Sequence, residues 1–264
     1  MKTIGVLFVG FNTEEYVDAS IQPWINARAN KLMGCEFVIC AVSVPFLEYK
    51  DDDFRDGTTE ALNDYYKNLK INHLITEPKF VPEWIARNQA AQYLIDQEVE
   101  ILILVDSDEI WKENQIKEVL EKVYLDKFTS WFSVQYRNFV FTKDQYLAEP
   151  FAPPRIFRVQ TNGYTILNCV YDNDFSYGTE CFEFNKNCKK EVSYRELPTK
   201  TIRGVAVDHY SWISCEGSRK KVKYQMDRWG VCSYKWDDVN GLSFNEEYYK
   251  KLGQKLPEVM KISN

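Results

Sequence analysis

The sequence predicts an α/β fold, with a mostly parallel, Rossmann-like sheet in the N-terminal half and a mixed second half. Apolar runs over residues 4–9, 37–44 and 100–105 read as strands covered on both faces. Helical segments alternate with these runs, a rhythm that implies parallel strands with helices on both faces. Beyond Lys127 the rhythm changes to strand-like runs without long helices between them. The 264 residues suffice for one α/β domain. With no internal repeat, low-complexity tract or evident linker, a single domain over 1–264 is expected, with parts at 1–125, 126–230 and a tail at 231–264.

Each element has a local reason. Gly10 ends the first strand, and Asn12 or Thr13 caps a helix whose first turn carries Glu14 and Glu15, where the helix dipole favours acids. Pro23 is expected to break or restart that helix. After the second strand comes a polar loop with Asp51, Asp52, Asp53 and Asp56, then a helix over 58–69. Pro82 opens a helix over 83–95, the third strand follows, and a further helix spans 113–124. Strands are expected over 128–141, 155–159, 164–170 and 202–207, and helices over 217–229 and 244–252.

Composition narrows the function classes. The net charge is −6, so the chain has no global field for polyanions and nucleic acid is an unlikely partner. The longest basic cluster runs from Arg219 through Lys220 and Lys221 to Lys223. Seven cysteines without a Cys-x-x-Cys pair fit neither a zinc ribbon nor a small disulfide framework. The opening apolar run is too short for a signal core, and no stretch approaches the ~20 apolar residues of a membrane span. A cytoplasmic location is expected. Aromatic residues make up 15% of the chain, which serves either a heavy core or a ligand cleft.

The informative segment joins the apolar run 101–105 to Asp106-Ser107-Asp108. If the backbone stays extended, residues i and i+2 share a side, and both carboxylates stand together at the C-terminal end of a parallel strand. Ligand crevices of open α/β sheets form at that edge. Paired carboxylates raise one another's pKa unless a cation sits between them, and hard oxygen ligands suit Mn²⁺ or Mg²⁺. The alternative is a solvated acidic turn leading into the helix at 113.

These residues bring a family into view. The chain resembles the family 2-type glycosyltransferases of the GT-A fold, which carry an Ala-Arg-Asn helix before a hydrophobic strand ending in Asp-x-Asp. Here Ala86-Arg87-Asn88 precedes Asp106 and Asp108. Phe11-Asn12-Thr13-Glu14-Glu15-Tyr16 is similar to the family's first nucleotide loop. Pro154-Arg155-Ile156-Phe157-Arg158 resembles the Arg-Leu-Phe-Arg strand of one bacterial subgroup. Gly204 through His209-Tyr210-Ser211 resembles that subgroup's His-Tyr-Ser segment, likewise followed by a basic helix.

The resemblance implies a metal-dependent glycosyltransferase that takes a sugar from a nucleotide-diphosphate donor, a UDP-sugar as first guess. The acceptor would be a glycan or other hydroxyl, and inversion of the anomeric centre is the expectation, with retention left open by a departure from the family pattern on the acceptor side. It makes 1–125 the nucleotide-sugar half and 126–230 the acceptor side. It places Phe11 and Asn12 beside the base, Arg87 at the base or ribose, and Asp106 toward the ribose or a water in the ion's outer shell. Asp106, Asp108 and His209 would serve the metal, with His209 alternatively on the diphosphate, and Arg219 or Lys223 would reach the diphosphate oxygens. For Arg87 the alternative is a helix-surface ion pair. The family's usual acceptor-side acid pair is missing, which leaves Asp172 first and Glu180 second as the general base. Trp111, Trp131, Tyr210 and Trp212 are further aromatic candidates, whereas His73 is expected to pack structurally. Competing classes are a nucleotidyltransferase acting on sugar phosphates, disfavoured by the glycine-poor loop Gly10-Phe11-Asn12-Thr13, and a non-catalytic sugar-binding module, which leaves Asp-x-Asp unused.

Overall fold

A computed structural model of the protein describes residues 2–44, 56–76, 81, 83–149, 151–161, 164–172, 179–186, 191–192, 197–213 and 216–262; for 161–192 and at 216, 217, 224, 228 and 229 it describes the backbone alone. The apolar run after Lys2 forms β1 (Thr3–Val9), followed by α1 (Glu14–Ala29) and β2 (Glu36–Val42). Then come α2 (Thr58–Lys67), β3 (His73–Ile75), α3 (Glu83–Asp96), β4 (Ile101–Asp106), β5 (Glu109–Ile110) and α4 (Glu113–Leu125). The second half runs through β6 (Trp131–Phe141), β7 (Gln145–Leu147), β8 (Pro154–Arg158), β9 (Gln160–Thr161), β10 (Tyr164–Asp172), β11 (Thr179–Lys186), β12 (Glu191–Val192) and β13 (Thr199–Ile213). It closes with α5 (Glu216–Trp229), β14 (Tyr234–Asp237), β15 (Gly241–Phe244), α6 (Glu246–Lys251) and β16 (Val259–Lys261).

Two compact units emerge: Met1–Gln135 with Ala152–Val207, and Tyr136–Phe151 with Asp208–Asn264. In the first, the sheet order is β6-β8-β4-β1-β2-β3. Strands β4, β1, β2 and β3 are parallel, whereas β8 runs antiparallel to both β4 and β6. The expected α/β class, with a largely parallel N-terminal sheet and a mixed continuation, is therefore present. Alternation explains why the central strands are apolar throughout. One face sends Leu7, Val9, Cys40, Val42, Leu102 and Leu104 against α3. Ala86, Ala90 and Ala91 give α3 a small-residue face for that contact. Strands β9 to β12 form a separate antiparallel sheet, with Tyr171 opposite Glu180 and Asp172 opposite Thr179.

Helix α1 corrects two expectations. It continues through Pro23 without a break, and Thr13, at its N-cap position, makes no side-chain capping bond. Tyr16, Val17, Ile21, Trp24 and Ile25 are all buried on this helix. Each such burial contributes roughly 1.5–3 kcal/mol, which together exceeds the ~3 kcal/mol cost of an internal proline. Arg158 shows how β8 is tied to α4. Its Nη2 donates to the carbonyl oxygens of Val123 (2.5 Å) and Asp126, and its Nε to that of Thr129 (2.9 Å), satisfying carbonyls at the helix end.

Burial alone would raise the Asp126 carboxyl, but bonds from Lys200, Thr129 and the Phe128 N–H outweigh it and bring the pKa from 3.8 to about 2. A depressed carboxylate stabilises the fold above its unfolded pKa, and that stabilisation is lost as pH falls through the folded value. Asp126→Asn should therefore lower stability at pH 7, with the difference from wild type shrinking between pH 4 and pH 2. Urea unfolding across that range measures it, and a constant difference would contradict the assignment.

In the second unit, β7 pairs antiparallel with β6 and β16, and β14 with β15. Val140, Val222, Cys232, Tyr234 and Leu242 form its core, flanked by Phe141, Trp212, Trp236 and Phe244. Phe244, read from sequence as the start of a helix, is the last residue of β15. Asn245 then caps α6 by accepting from the Tyr248 N–H. Among the described residues no helix is long and apolar enough to cross a membrane.

Candidate active site

The site is built at the C-terminal edge of the parallel strands in the first unit. Past Val9, the Gly10 N–H donates to the Val42 carbonyl (2.9 Å), which keeps the chain against β2. A Cβ on Gly10 would lie 3.0 Å from Thr58 Cγ2 and 3.2 Å from Leu62 Cδ1, so glycine lets α2 start close to the loop. Asn12 adopts φ 54°, a left-handed conformation that asparagine tolerates better than most residues. Phe11 is half-buried and packs on the same core as Ile75 and Val81.

The loop's polar groups are already committed. The Thr13 N–H donates to Thr58 Oγ1 (2.9 Å), and its hydroxyl pairs with Ser107 Oγ. The Glu14 N–H donates to Asp56 Oδ2 (2.8 Å), and the Thr58 N–H to Asp56 Oδ1 (2.9 Å). Glu14 Oε2 in turn accepts from the Gly57 N–H (3.1 Å). The amino ends of α1 and α2 are thus capped by carboxylates from each other's flanks, and the loop between β1 and α1 is held from both sides.

Asp106, at the tip of β4, is joined to two arginines. Arg87 Nη2 donates to Oδ1 at 2.8 Å and Arg155 Nη2 to Oδ2 at 2.9 Å. Arg87 is not the surface residue of the alternative reading: its side chain is only 2% exposed, although it does pair with Glu83, one helical turn earlier (2.6 Å). Arg155 also binds Glu109 Oε1 through Nε (2.9 Å) and Nη2 (2.6 Å), and Glu109 is 0% exposed. Carboxylates and guanidiniums alternate from Glu83 through Arg87, Asp106 and Arg155 to Glu109. Such pairing is what permits charge to be buried at all.

Beyond Asp106 the backbone does not stay extended. Ser107 and Asp108 form a turn before β5, so the two acids do not share one extended strand, the basis of the expectation that both carboxylates stand on one side. The Ser107 N–H donates to the Val9 carbonyl (2.8 Å). Ser20, from α1, donates to the carbonyl oxygens of Glu109 (2.6 Å) and Asp106 (3.3 Å) and so brackets the turn. Asp108 sits half-exposed on it.

This arrangement bears on the implied divalent ion. Both Asp106 oxygens accept from guanidiniums, so an ion at Asp106 would share these oxygens with Arg87 and Arg155. A half-exposed carboxylate at Asp108 suits Mg²⁺ or Mn²⁺, which commonly takes one or two carboxylates and completes its shell with water and phosphate oxygens. Among the described residues no group of three His, Cys, Asp or Glu side chains forms a metal cage.

In the second unit, His209 is engaged at both ring nitrogens. Nδ1 lies 2.7 Å from Asn138 Oδ1 and Nε2 lies 2.9 Å from Ser211 Oγ, which also accepts from Lys221 Nζ (2.9 Å). Because an amide oxygen only accepts, Nδ1 carries the proton. With Lys221 donating to Ser211 Oγ, the serine hydroxyl hydrogen can be directed at Nε2. Nitrogen-15 NMR at neutral pH should find His209 as the Nδ1–H tautomer, with Asn138→Ala abolishing that preference; a dominant Nε2–H form would contradict the assignment. Arg137 pairs with Asp208 at 2.6 Å. Arg219 and Lys223 lie exposed on α5, and Lys221 between them is the residue that bonds to Ser211.

Phe11, Asn12, Arg87, Asp106 and Asp108 all belong to the first unit, and His209, Arg219 and Lys223 to the second. Asp172 ends β10 and the backbone of Glu180 lies in β11, but their side chains fall outside the described residues. Trp111, 1% exposed, stands edge-on to Trp24 at 5.3 Å; it and Trp131 are core residues rather than walls of a cleft. Tyr210 stacks on Phe139 and Trp212 on Tyr234. His73 stacks on Tyr93 at 4.3 Å, the structural role expected of it.

Glu109 and Arg155 were not singled out as site residues by sequence reasoning. Their signal is present: an arginine inside an apolar strand and an acid leading into the apolar pair Ile110-Trp111 each require a buried partner.

No family model and no curated protein matches the sequence. Among solved structures, S. aureus TarS 1–349 in complex with UDP-GlcNAc is 15% identical, with a TM-score of 0.49 over 84% of this chain and 61% of that one. TarS 1–349 alone aligns at 14% identity and a TM-score of 0.46 over 85% of this chain, which spans 63% of that 1–349 segment. The 4-diphosphocytidyl-2C-methyl-D-erythritol synthase of Anaerococcus prevotii is 9% identical, with a TM-score of 0.35 over 60% of this chain and 70% of its own.

Proposed function

We propose that the protein is a metal-dependent glycosyltransferase of the GT-A type. It transfers a sugar from a nucleotide-diphosphate donor, first a UDP-sugar, to an acceptor hydroxyl with inversion. The observation that carries this reading is Asp106 at the carboxyl end of β4, held by Arg87 and Arg155 beside the loop that follows β1. In open α/β sheets, ligands bind outside the carboxyl ends of the strands. A carboxylate at that strand edge is an acceptor of the kind that ribose hydroxyl donors require. Phe11, half-buried against the core that also carries Ile75 and Val81, is proposed to offer an apolar face to a base.

Asp108 is the residue proposed to hold Mn²⁺ or Mg²⁺ against the donor phosphates. The bound ion supplies Lewis-acid stabilisation to the departing diphosphate. His209 and the basic residues of α5 are proposed for the diphosphate side, and Asp172 or Glu180 for the base that takes the acceptor proton. A nucleotidyltransferase is disfavoured by the loop itself. The N–H groups of Gly10, Thr13 and Glu14 already donate to protein acceptors, where a triphosphate cradle requires free loop amides.

A panel of UDP-, GDP- and dTDP-sugars with and without Mn²⁺, scored for donor hydrolysis and thermal shift, tests the reading. Metal-dependent release of a nucleoside diphosphate from one donor class supports it. Failure of every donor to shift the melting temperature or turn over rejects it. Consumption of a nucleoside triphosphate with a sugar phosphate, releasing pyrophosphate, selects the nucleotidyltransferase instead.

A further inference from the structure

The pair Glu109–Arg155 has no direct part in the chemistry proposed above, yet it is the most deeply buried ionic contact at the site. Glu109 is fully buried in the short strand β5, directly after the turn that carries Asp108. Arg155 reaches it from β8, which runs antiparallel to β4. Two guanidinium nitrogens bind one Glu109 oxygen, at 2.9 and 2.6 Å. One of these, Nη2, also binds Asp106 Oδ2 at 2.9 Å. A single nitrogen therefore links a carboxylate on each side of the Ser107–Asp108 turn, and Ser20 ties the backbone of the same two residues.

A buried ion pair is an inefficient stabiliser, because its desolvation cost offsets much of the attraction. Its planar fork does fix direction, which a hydrophobic replacement does not.

We propose that Glu109 and Arg155 are positioning residues: Glu109 fixes the Arg155 guanidinium, which with Arg87 holds Asp106 and the Ser107–Asp108 turn in the shape that receives the nucleotide. The clamp stands on the geometry alone, and the identity of what it serves rests on the glycosyltransferase reading. Glu109 acts through Arg155 and Asp106, so its influence on nucleotide binding must pass through Asp106.

The experiment is a double-mutant cycle with Glu109→Gln and Asp106→Asn. UDP binding is measured by calorimetry with Mn²⁺, alongside melting temperature and amide hydrogen exchange of the nucleotide-free protein. Glu109→Gln is expected to weaken UDP about tenfold in the wild-type background, and less than twofold when Asp106 is already Asn, within the range of coupled neighbours. Exchange at the Ser107 and Asp108 amides should rise by a similar factor, whereas the β1 amides hold. Equal loss of UDP affinity in both backgrounds overturns the proposal and leaves the pair a structural one. So does faster turn exchange with undiminished UDP affinity. If wild-type protein binds no UDP, the UDP-donor reading fails by itself, and the clamp is judged on exchange. Unchanged protection of Ser107 and Asp108 in Glu109→Gln then overturns it.

Discussion

Arg155→Ala is expected to destabilise the protein by about 3–5 kcal/mol, the usual consequence of leaving a buried charge without its partner. Glu109 has no exposure to water through which to recover its solvation, and Arg155 itself is 8% exposed. The substitution also removes one of the two guanidiniums on Asp106. Urea unfolding reads the loss directly. The double variant Glu109→Leu/Arg155→Met removes both charges, and it should recover most of the stability while leaving Asp106 with Arg87. By contrast, Lys200→Ala, whose pair with Asp126 is 58% exposed on the lysine side, should cost no more than about 1 kcal/mol. A loss below about 1 kcal/mol for Arg155→Ala would contradict the cost expected of an orphaned buried charge.

The central strands were legible because burial on both faces leaves an unbroken apolar run, as from Ile101 to Val105. Strand β3 had no such signature. Its three residues, His73–Ile75, are half-exposed at the sheet edge. The hairpin β14–β15 was not legible because its strands are only four residues each and Phe244, which pairs with Tyr234, reads equally as the start of the helix that follows. At Pro23 a local rule lost to tertiary packing: the apolar face of α1 fixes the helix regardless of the missing N–H.

In the site, Asp106 was legible because it terminates a buried strand, and Arg87 because it stands in a recognisable helix segment. Their pairing was not, since it joins residues 19 positions apart. The Arg155–Glu109 contact, 46 positions apart, depends on β8 reversing direction beside β4. No local pattern encodes that reversal. The relation between Asp106 and Asp108 was misread for a simpler reason. The two-residue alternation holds only while the backbone is extended, and Ser and Asp are residues that favour turns.

Asp108→Ala should lower metal-dependent donor turnover by about 10²- to 10³-fold, the scale seen when one electrostatic contact to a developing anion is removed. The expectation follows from the division of labour between the two acids. Asp106 has both oxygens on arginine, so its loss disturbs Arg87 and Arg155 as well as any nucleotide contact. Asp108 stands half-exposed on the turn, and its side chain can be removed with little effect on the core. The melting temperature of Asp108→Ala should accordingly stay within a few degrees of wild type, whereas Asp106→Ala should lose both activity and stability. Comparing turnover at saturating Mn²⁺ separates weakened ion binding from lost catalysis: recovery with excess metal points to affinity, and a persistent deficit to the placement of the ion against the phosphates. Full turnover in Asp108→Ala, with the metal requirement intact, would transfer the proposed ligand role elsewhere.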